Sequence, residues 1–190
     1  MKITRKNIID AVGLLALAAL FVWFPFKLEQ PGIADHKILV ATEKLQDGIF
    51  DKTVILILRH NGLGALGLVL NSPPLQKGDA DWGGPVEKNI YYTLHSLDVS
   101  GKGTVKIPGL QLGYTKGEGF AKEIGARRSK PEEYIIFKGY AGWGRGQLSR
   151  EIAGERWTVI DFNRDLVFHT NPKKMWETAI RMPAAEQKRE

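Results

Sequence analysis

The sequence predicts an α+β protein with a largely antiparallel sheet and a few short helices, preceded by one N-terminal transmembrane helix. Three observations predict this class. Short apolar runs rich in β-branched residues outnumber the helical stretches. Gly, Pro and Asn residues separate these runs, as is typical of strands joined by tight turns. Residues 8–26 form one apolar stretch with the length of a membrane-spanning helix.

The N-terminal apolar stretch is broken only by Asp10, near its start. At a rise of about 1.5 Å per residue, roughly 19 helical residues are just enough to cross the ~30 Å hydrocarbon core of a bilayer. Three cations, Lys2, Arg5 and Lys6, precede the stretch. Because positively charged flanks stay in the cytoplasm, we expect a cytoplasmic N-terminus and a periplasmic body at a bacterial inner membrane. A cytoplasmic body is the alternative.

Cleavage of this leader as a signal peptide is the rival interpretation. A peptidase site needs small residues spaced A-x-A shortly after the apolar core. The core is followed by FPFKLEQPGIA, in which no such pair follows closely. The aromatic residues Trp23, Phe24 and Phe26 stand at its far end, where such side chains favour the membrane interface. An uncleaved anchor is therefore the preferred interpretation.

The remaining chain has the length of one domain, which can bury a core without disulfides or metals. The linker before it is marked by Pro31-Gly32, which breaks a helix. The predicted organisation is, in chain order, a basic segment (1–7), the anchor (8–26), a linker (27–37), the domain (38–181) and a charged tail (182–190).

Short apolar or β-branched runs define the predicted strands. They cover 38–41, 53–58, 65–70, 91–95, 105–112, 134–137, 157–162 and 166–168. A turn at 60–64, which contains Asn-Gly, joins the second and third strands into a β-hairpin. Helices are predicted over 120–126, 147–153 and 173–181; Gly154 ends the second of these, and Asn171-Pro172 opens the third.

Composition excludes several kinds of site. The chain has no cysteine, which excludes disulfides, zinc–thiolate sites, iron–sulfur clusters and thiol nucleophiles. The net charge is +6, but outside 127–130 and Lys173-Lys174 the cations are scattered, which favours a solvated basic face over a nucleic-acid surface. No two histidines have metal-ligand spacing, and no serine lies in a G-x-S-x-G or S-x-x-K motif. The sequence favours a protein without metal, cofactor or enzymatic activity, while leaving an enzyme open.

Four segments of the body carry a family pattern. They are ILVATEKLQDGIFDKTVILILRHNGLGALGLVLNSP, GGPVE, LH and GYAGWGRGQLSREIAGERW. This pattern, from about Ile38 to Trp176, resembles the YqgE/AlgH family. The resemblance implies a strongly curved sheet and no established enzymatic activity, and one branch of the family is linked to transcriptional control. The chain departs from the pattern at Ser72, Arg145 and Ser149, and in carrying an anchor.

The block 139–147 is the leading candidate site, since it is predicted to leave a strand and enter a helix. Glycines let backbone N–H groups point inwards, a helix N-terminus adds partial positive charge, and Arg145 adds a bidentate donor, so a small anion would suit the loop. The spacing is neither a Walker loop nor a dinucleotide fingerprint. The competing interpretation is that the glycines let the aromatic residues pack tightly. The candidates are Gly139, Tyr140, Gly142, Trp143, Gly144, Arg145, Gly146 and Gln147.

A second group of candidates surrounds the GGP sequence. Gly83, Gly84 and Pro85, with Asn71, form another glycine-rich site, and proximity to the first block would enlarge it. His95 follows a strand, and burial beside the GGP turn would make it a further candidate. Structural roles compete with ligand binding at all five positions, because Asn side chains commonly fix turns and buried histidines are usually satisfied within the core.

The leading hypothesis is a non-enzymatic, membrane-anchored interaction protein, an accessory subunit held by a protein partner in an inner-membrane complex. Its basis is an anchor on a domain without a recognisable catalytic motif. The alternative is binding or hydrolysis of an anionic small molecule at 139–147. A third hypothesis, which depends on the family resemblance alone, is a transcription-related regulator. Nucleic acid is a disfavoured partner because the sequence carries no DNA-binding or RNA-binding motif.

Overall fold

A computed structural model of the protein describes residues 32–45, 48–72, 80–126 and 131–185. The strands are β1 (Ile38–Ala41), β2 (Val54–Asn61), β3 (Gly64–Val69), β4 (Asp81–Trp82), β5 (Val86–Ser96), β6 (Thr104–Ile107), β7 (Leu112–Lys116), β8 (Tyr134–Trp143) and β9 (Trp157–Ile160). The helices are a 3-10 turn (Gly48–Phe50), α1 (Glu118–Ala126), α2 (Gln147–Ala153), α3 (Arg164–Phe168) and α4 (Pro172–Ala179).

The nine strands of the described chain belong to one sheet. Eight of them lie in the order β6-β7-β5-β8-β3-β2-β1-β9, and neighbours along this path are antiparallel. The short strand β4 pairs with β8 in parallel. The sheet curls into a half-barrel that carries a few short helices. The predicted α+β class, with a curved and largely antiparallel sheet, is therefore confirmed.

The sheet separates two apolar cores. Alternate residues of β1 enter different cores, because successive side chains of a strand point to opposite faces. Ile38 and Val40 pack in the first core, which also takes side chains from α3 and α4. Leu39 and Ala41 pack in the second core, which takes side chains from α2 and the 3-10 turn. Burial on both faces explains why β1 and β2 are apolar throughout rather than alternating.

Two predicted strands differ in the structure. The run 105–112 is divided by a turn at 108–111 into β6 and β7, which pair with each other. Gly109 and Gln111 have positive φ angles there (77° and 53°), a conformation that cannot continue a strand. The predicted strand at 166–168 is wrong, because the Asn163 side chain accepts a hydrogen bond from the Leu166 N–H (2.8 Å) and starts α3.

The predicted loop at 139–147 is mostly strand. β8 continues to Trp143, and only 144–146 form a turn before α2 begins at Gln147. The glycines hide this strand from sequence reasoning, because glycine is depleted in strands and usually marks turns. Backbone pairing with β3 on one side and β5 on the other overrides that preference.

Within the described ranges, no helix is long and apolar enough to cross a bilayer. The predicted anchor at 8–26 lies outside those ranges, as do the basic cluster at 127–130 and residues 186–190 of the predicted tail. The anchor and the domain boundaries therefore stay predictions.

Candidate functional site

The two groups of candidate glycines meet where the GGP segment crosses β8. The Gly83 N–H donates to the Lys138 carbonyl (2.8 Å). A Cβ added to Gly83 would lie 2.3 Å from the Gly139 carbonyl oxygen, and one added to Gly139 would lie 2.4 Å from the Gly84 carbonyl oxygen. No side chain fits at such distances, so glycine is needed here for two backbones to touch. The structure therefore brings the two candidate groups together.

Strand β8 changes face at this crossing. Phe137 packs in the first core, whereas Ala141, four residues on, packs in the second. In a regular strand these two side chains would share a face. Residues 87–90 of β5 form a bulge opposite Gly139, which adopts a φ of 74°. As a result, Tyr140 lies on the first-core face of the sheet.

Beyond the crossing, β8 and the β2–β3 hairpin form an open depression of ≈ 280 Å³. The side chains around it are those of Arg59, Leu63, Leu66, Val86 and Tyr140. Its floor contains Gly142, paired with Leu66. A Cβ on Gly142 would meet the edge of the Tyr140 ring at 3.0 Å and Val86 at 3.5 Å. The missing side chain of Gly142 therefore leaves this space open.

The depression combines exposed apolar groups with one cation. The Leu63 side chain, at the tip of the hairpin, is 85% exposed, and Val86 is 36% exposed. Arg59 is exposed and forms no ion pair or hydrogen bond with another described side chain. Such an open surface differs from the enclosed clefts in which small molecules usually bind.

The Tyr140 ring is positioned by a polar cluster behind it. It packs edge-to-face on Tyr92, with the ring centroids 5.7 Å apart. The Tyr92 hydroxyl donates to Glu87 Oε2 (2.7 Å), which also pairs with Lys116 Nζ (2.7 Å). Burial and the bond to Glu87 raise the pKa of Tyr92 to about 12. Tyr92 therefore stays a protonated donor, and its ring fixes one wall of the depression.

The Trp143 side chain packs in the second core, within an aromatic cluster with Phe50, Trp82 and Trp157. The indole N–H groups of Trp143 and Trp157 both donate to Oε2 of Glu151, at 2.9 and 2.8 Å. Charged acceptors make such hydrogen bonds stronger than neutral ones. Glu151 thereby ties α2 to β8 and β9.

The turn at 144–146 uses its polar groups internally. The Gly144 N–H donates to Gln147 Oε1 (3.1 Å), and Gln147 Nε2 donates to Glu151 Oε1 (2.9 Å). These donors are occupied, and the Glu151 carboxylate brings negative charge next to them. The geometry favours the packing interpretation of Gly144, Gly146 and Gln147. Anion binding by residues 139–147 stays a prediction, and these internal hydrogen bonds do not support it.

Asn71 joins two strand ends. Its Oδ1 accepts from the Val54 N–H (2.9 Å), and its Nδ2 donates to the Lys52 carbonyl (2.8 Å). Both functional atoms of the amide are therefore committed to the backbone at the start of β2, while Asn71 itself follows the end of β3. This bonding gives Asn71 a structural role in the fold.

His95 is buried, but it lies away from the GGP crossing. It sits opposite Tyr134 on β8, about 17 Å along the strand from Gly139 at roughly 3.3 Å per residue. Its Nδ1–H donates to the Ser96 carbonyl (2.9 Å), and Nε2 accepts from the Thr115 hydroxyl (3.0 Å). Both ring nitrogens are thus satisfied inside the protein. In the part of the chain that the structure describes, no cluster of three metal-ligating residues is present.

The sequence-derived candidates omit the residues that give the depression its character. Arg59, Leu63 and Val86 are absent from that set, as is Glu151. One signal could have found Leu63, because an apolar residue at the tip of an Asn-Gly turn is unusual where polar residues are preferred. Glu151 gives no such signal, since its two indole donors come from different strands.

Comparison with known proteins supports one family. The family model described as AlgH-like matches residues 38–186. A UPF0301 protein from Chlorobium luteolum is 33% identical over 172 residues, which cover 83% of this chain and 90% of the relative. A UPF0301 protein from Shewanella oneidensis is 30% identical over 168 residues, which cover 77% of this chain and 89% of the relative.

Two solved structures share the fold. The solution structure of the AlgH protein from Pseudomonas aeruginosa has a TM-score of 0.67 at 28% identity, and the match covers 79% of this chain and 88% of that protein. A crystal structure from Corynebacterium diphtheriae has a TM-score of 0.62 at 20% identity, over 79% of this chain and 87% of that one, and shows the fold alone. The family match spans every element from β1 to α4. The chain therefore belongs to the AlgH-like family.

Proposed function

We propose that the protein is a non-enzymatic, membrane-anchored interaction protein that binds an apolar segment of a partner protein in the depression between β8 and the β2–β3 hairpin. The observation that carries this proposal is the exposure of Val86 beside a floor opened by Gly142. The leader at 8–26 would hold the body at a bacterial inner membrane, with the body periplasmic. The partner would then be another protein of that membrane.

The shape of the depression suits a protein segment better than a small molecule. Small-molecule sites are usually enclosed clefts of about 300–1,000 Å³ that bury most of the ligand. The depression, at ≈ 280 Å³, lies close to the lower end of that range, but it is open to solvent rather than enclosed. Full burial of a leucine-sized side chain contributes about 1.5–3 kcal/mol, so its partial burial above Gly142, against Leu66 and Val86, would contribute less.

Site-specific photocrosslinking of the full-length chain in its native membrane tests this proposal. A photoreactive residue replaces Val86 at the depression, and the control replaces Val105, an apolar residue of similar exposure (48%) on the edge strand β6. We expect a discrete membrane protein to be crosslinked from position 86 and not from position 105.

A pair of glycine variants makes the test specific. Gly142→Leu fills the depression, whereas Gly144→Leu points into open space, where the nearest atom to a Cβ is Gln147 Oε1 at 3.9 Å. We expect the crosslink from position 86 to be lost in the first variant and kept in the second. A crosslink that survives Gly142→Leu, or one that forms equally from position 105, contradicts the proposal.

The other functions predicted from the sequence stay predictions. Binding or hydrolysis of an anionic small molecule at 139–147 has the internal hydrogen bonds of Gln147 and Glu151 against it. A role as a transcription-related regulator depends on the family resemblance alone.

A further inference from the structure

We propose that one end of the sheet rests directly on the surface of an anionic lipid bilayer. This end, here called the hairpin end, comprises Arg59, Leu63 and the turn that bears Arg145. The inference depends on the anchor of the proposed function, and it adds a contact between the folded body and lipid.

The described chain begins beside the hairpin end. The backbone N–H of Ala34 donates to Nδ1 of His60 (3.4 Å), and the His60 N–H donates to Oδ1 of Asp35 (2.9 Å). His60 follows Arg59 directly near the end of β2. These bonds fix the first described residues against the part of β2 that leads into the hairpin.

The tether between the predicted anchor and this point is short. The anchor ends at Phe26, six residues before Gly32. An extended chain covers at most about 3.3–3.6 Å per residue, so Gly32 lies within about 20 Å of the bilayer. The eight residues of β2 span about 26 Å at roughly 3.3 Å per residue, which is longer than the tether. The end of β2 at which the chain enters is therefore held towards the membrane.

The tip of the hairpin end is apolar and held in shape. Leu63 is 85% exposed. Its N–H donates to Oδ1 of Asn61 (2.9 Å), which fixes the turn. An apolar side chain on a fixed turn can enter the headgroup region of a bilayer without losing further backbone freedom.

Two exposed arginines accompany this tip. Arg59 precedes the turn, and the turn bearing Arg145 lies against the hairpin, since a Cβ on Gly64 would stand 3.3 Å from the Gly144 carbonyl carbon. Cations near an anionic membrane surface strengthen binding. The nearby carboxylate of Asp35 already accepts a backbone N–H, which lessens its repulsion of lipid phosphate. An apolar tip flanked by arginines matches the chemistry of anionic phospholipid.

A fluorescence experiment on the full-length chain tests the contact. The protein has no cysteine, so Leu63→Cys can be labelled at one site with an environment-sensitive fluorophore. The labelled protein is reconstituted into phosphatidylcholine–phosphatidylglycerol vesicles that contain a spin-labelled lipid as quencher. Val105→Cys is the matched control, because it lies far from the hairpin end. Through β7 and β5 its position is in register with Ile135 of β8, which is about 23 Å along that strand from Gly142.

We expect the label at position 63 to shift to shorter wavelength and lose fluorescence to the lipid quencher, while the label at position 105 does neither. Quenching at position 63 should fall when phosphatidylglycerol is replaced by phosphatidylcholine, and equal quenching in both lipids overturns the preference for anionic lipid. If the protein floats with the vesicles but the two labels behave alike, the lipid contact is overturned and the anchor stands. If the protein does not float with the vesicles, the anchor fails, and this inference fails with it.

Discussion

Gly84 lies so close to Tyr140 that a Cβ on the glycine would stand 2.1 Å from the tyrosine carbonyl carbon. The φ angle of Gly84 is 150°, a value that side chains rarely allow. The close approach and the positive φ angle of Gly84 both occur at the crossing of the GGP segment and β8. This crossing aligns β8 with β5 and turns the Tyr140 ring towards the depression. The shape of the candidate site therefore depends on a glycine that is not itself part of its lining.

Gly84→Ala should lower the free energy of unfolding by about 2–4 kcal/mol, because the two backbones must separate to admit a methyl group. Gly142→Ala is the matched control, since its Cβ meets only a ring edge and the tip of Val86. We expect it to change stability by less than about 1 kcal/mol. Urea unfolding followed by tryptophan fluorescence measures both, and equal stability of the two variants contradicts the role given to the crossing.

Glu151→Ala should destabilise the protein by about 2–4 kcal/mol, because the indole N–H groups of Trp143 and Trp157 lose their shared acceptor. Glu151→Gln keeps one acceptor oxygen and should cost less. Asp161→Ala serves as the control, since that carboxylate is exposed and pairs with Lys37 at the surface (3.3 Å), a contact worth about 0–1 kcal/mol. The thermal unfolding midpoints of the three variants measure these differences in stability. A Glu151→Ala midpoint no lower than that of Asp161→Ala would refute the role of Glu151 as a shared acceptor.

His60 should make stability depend on pH. Burial lowers the pKa of His60 from its ordinary value of 6.5, and Asp35 opposes this in part. Between the folded-state pKa and 6.5 the unfolded chain binds more protons, so stability is fully present above pH 6.5 and falls as the pH drops through that window. His60→Gln should flatten this dependence. Unfolding midpoints across the window measure it, and an unchanged slope in the variant excludes His60 as the cause.

Asp81 should act with the opposite sign. Burial raises the pKa of this carboxyl from 3.8 to about 6. Between these values the folded chain binds more protons than the unfolded one, so stability falls as the pH rises through this range. Asp81→Asn should therefore unfold at a higher temperature than the native chain at neutral pH, and the gap should close below pH 3.8. A gap that is the same at both extremes would show that ionisation of Asp81 is not involved.

The parts of the fold that sequence predicts are those with local causes. Asn61-Gly62 sits in the turn between β2 and β3, and Asn171 caps α4 through its side chain, which accepts from the Lys173 N–H. The length of β8 has a non-local cause, since its glycines are held extended by strands distant in sequence. The curvature of the sheet was available only through the family resemblance.

The candidate site shows the same division. Tyr140 and Gly142, both predicted, do lie at the depression, but Asn71 and His95 are bonded elsewhere in the fold. Sequence spacing can assign each side chain to one face of the sheet only if the strand is regular, with successive side chains on opposite faces. The bulge opposite Gly139 breaks that assumption, so the side of the sheet on which each residue of the block lies could be known only from the structure.

The bulge makes this part of the chain sensitive to residue number as well as residue type. Removal of Lys138 alone would move residues 139–143 one position back along β8, while Phe137 kept its place. Tyr140 would then turn towards the second core and Trp143 towards the open surface, with its indole drawn away from Glu151. A deletion of one residue would thus move the side chains at the end of β8 to the opposite face of the sheet. Many substitutions at its exposed positions would leave every side chain on its own face.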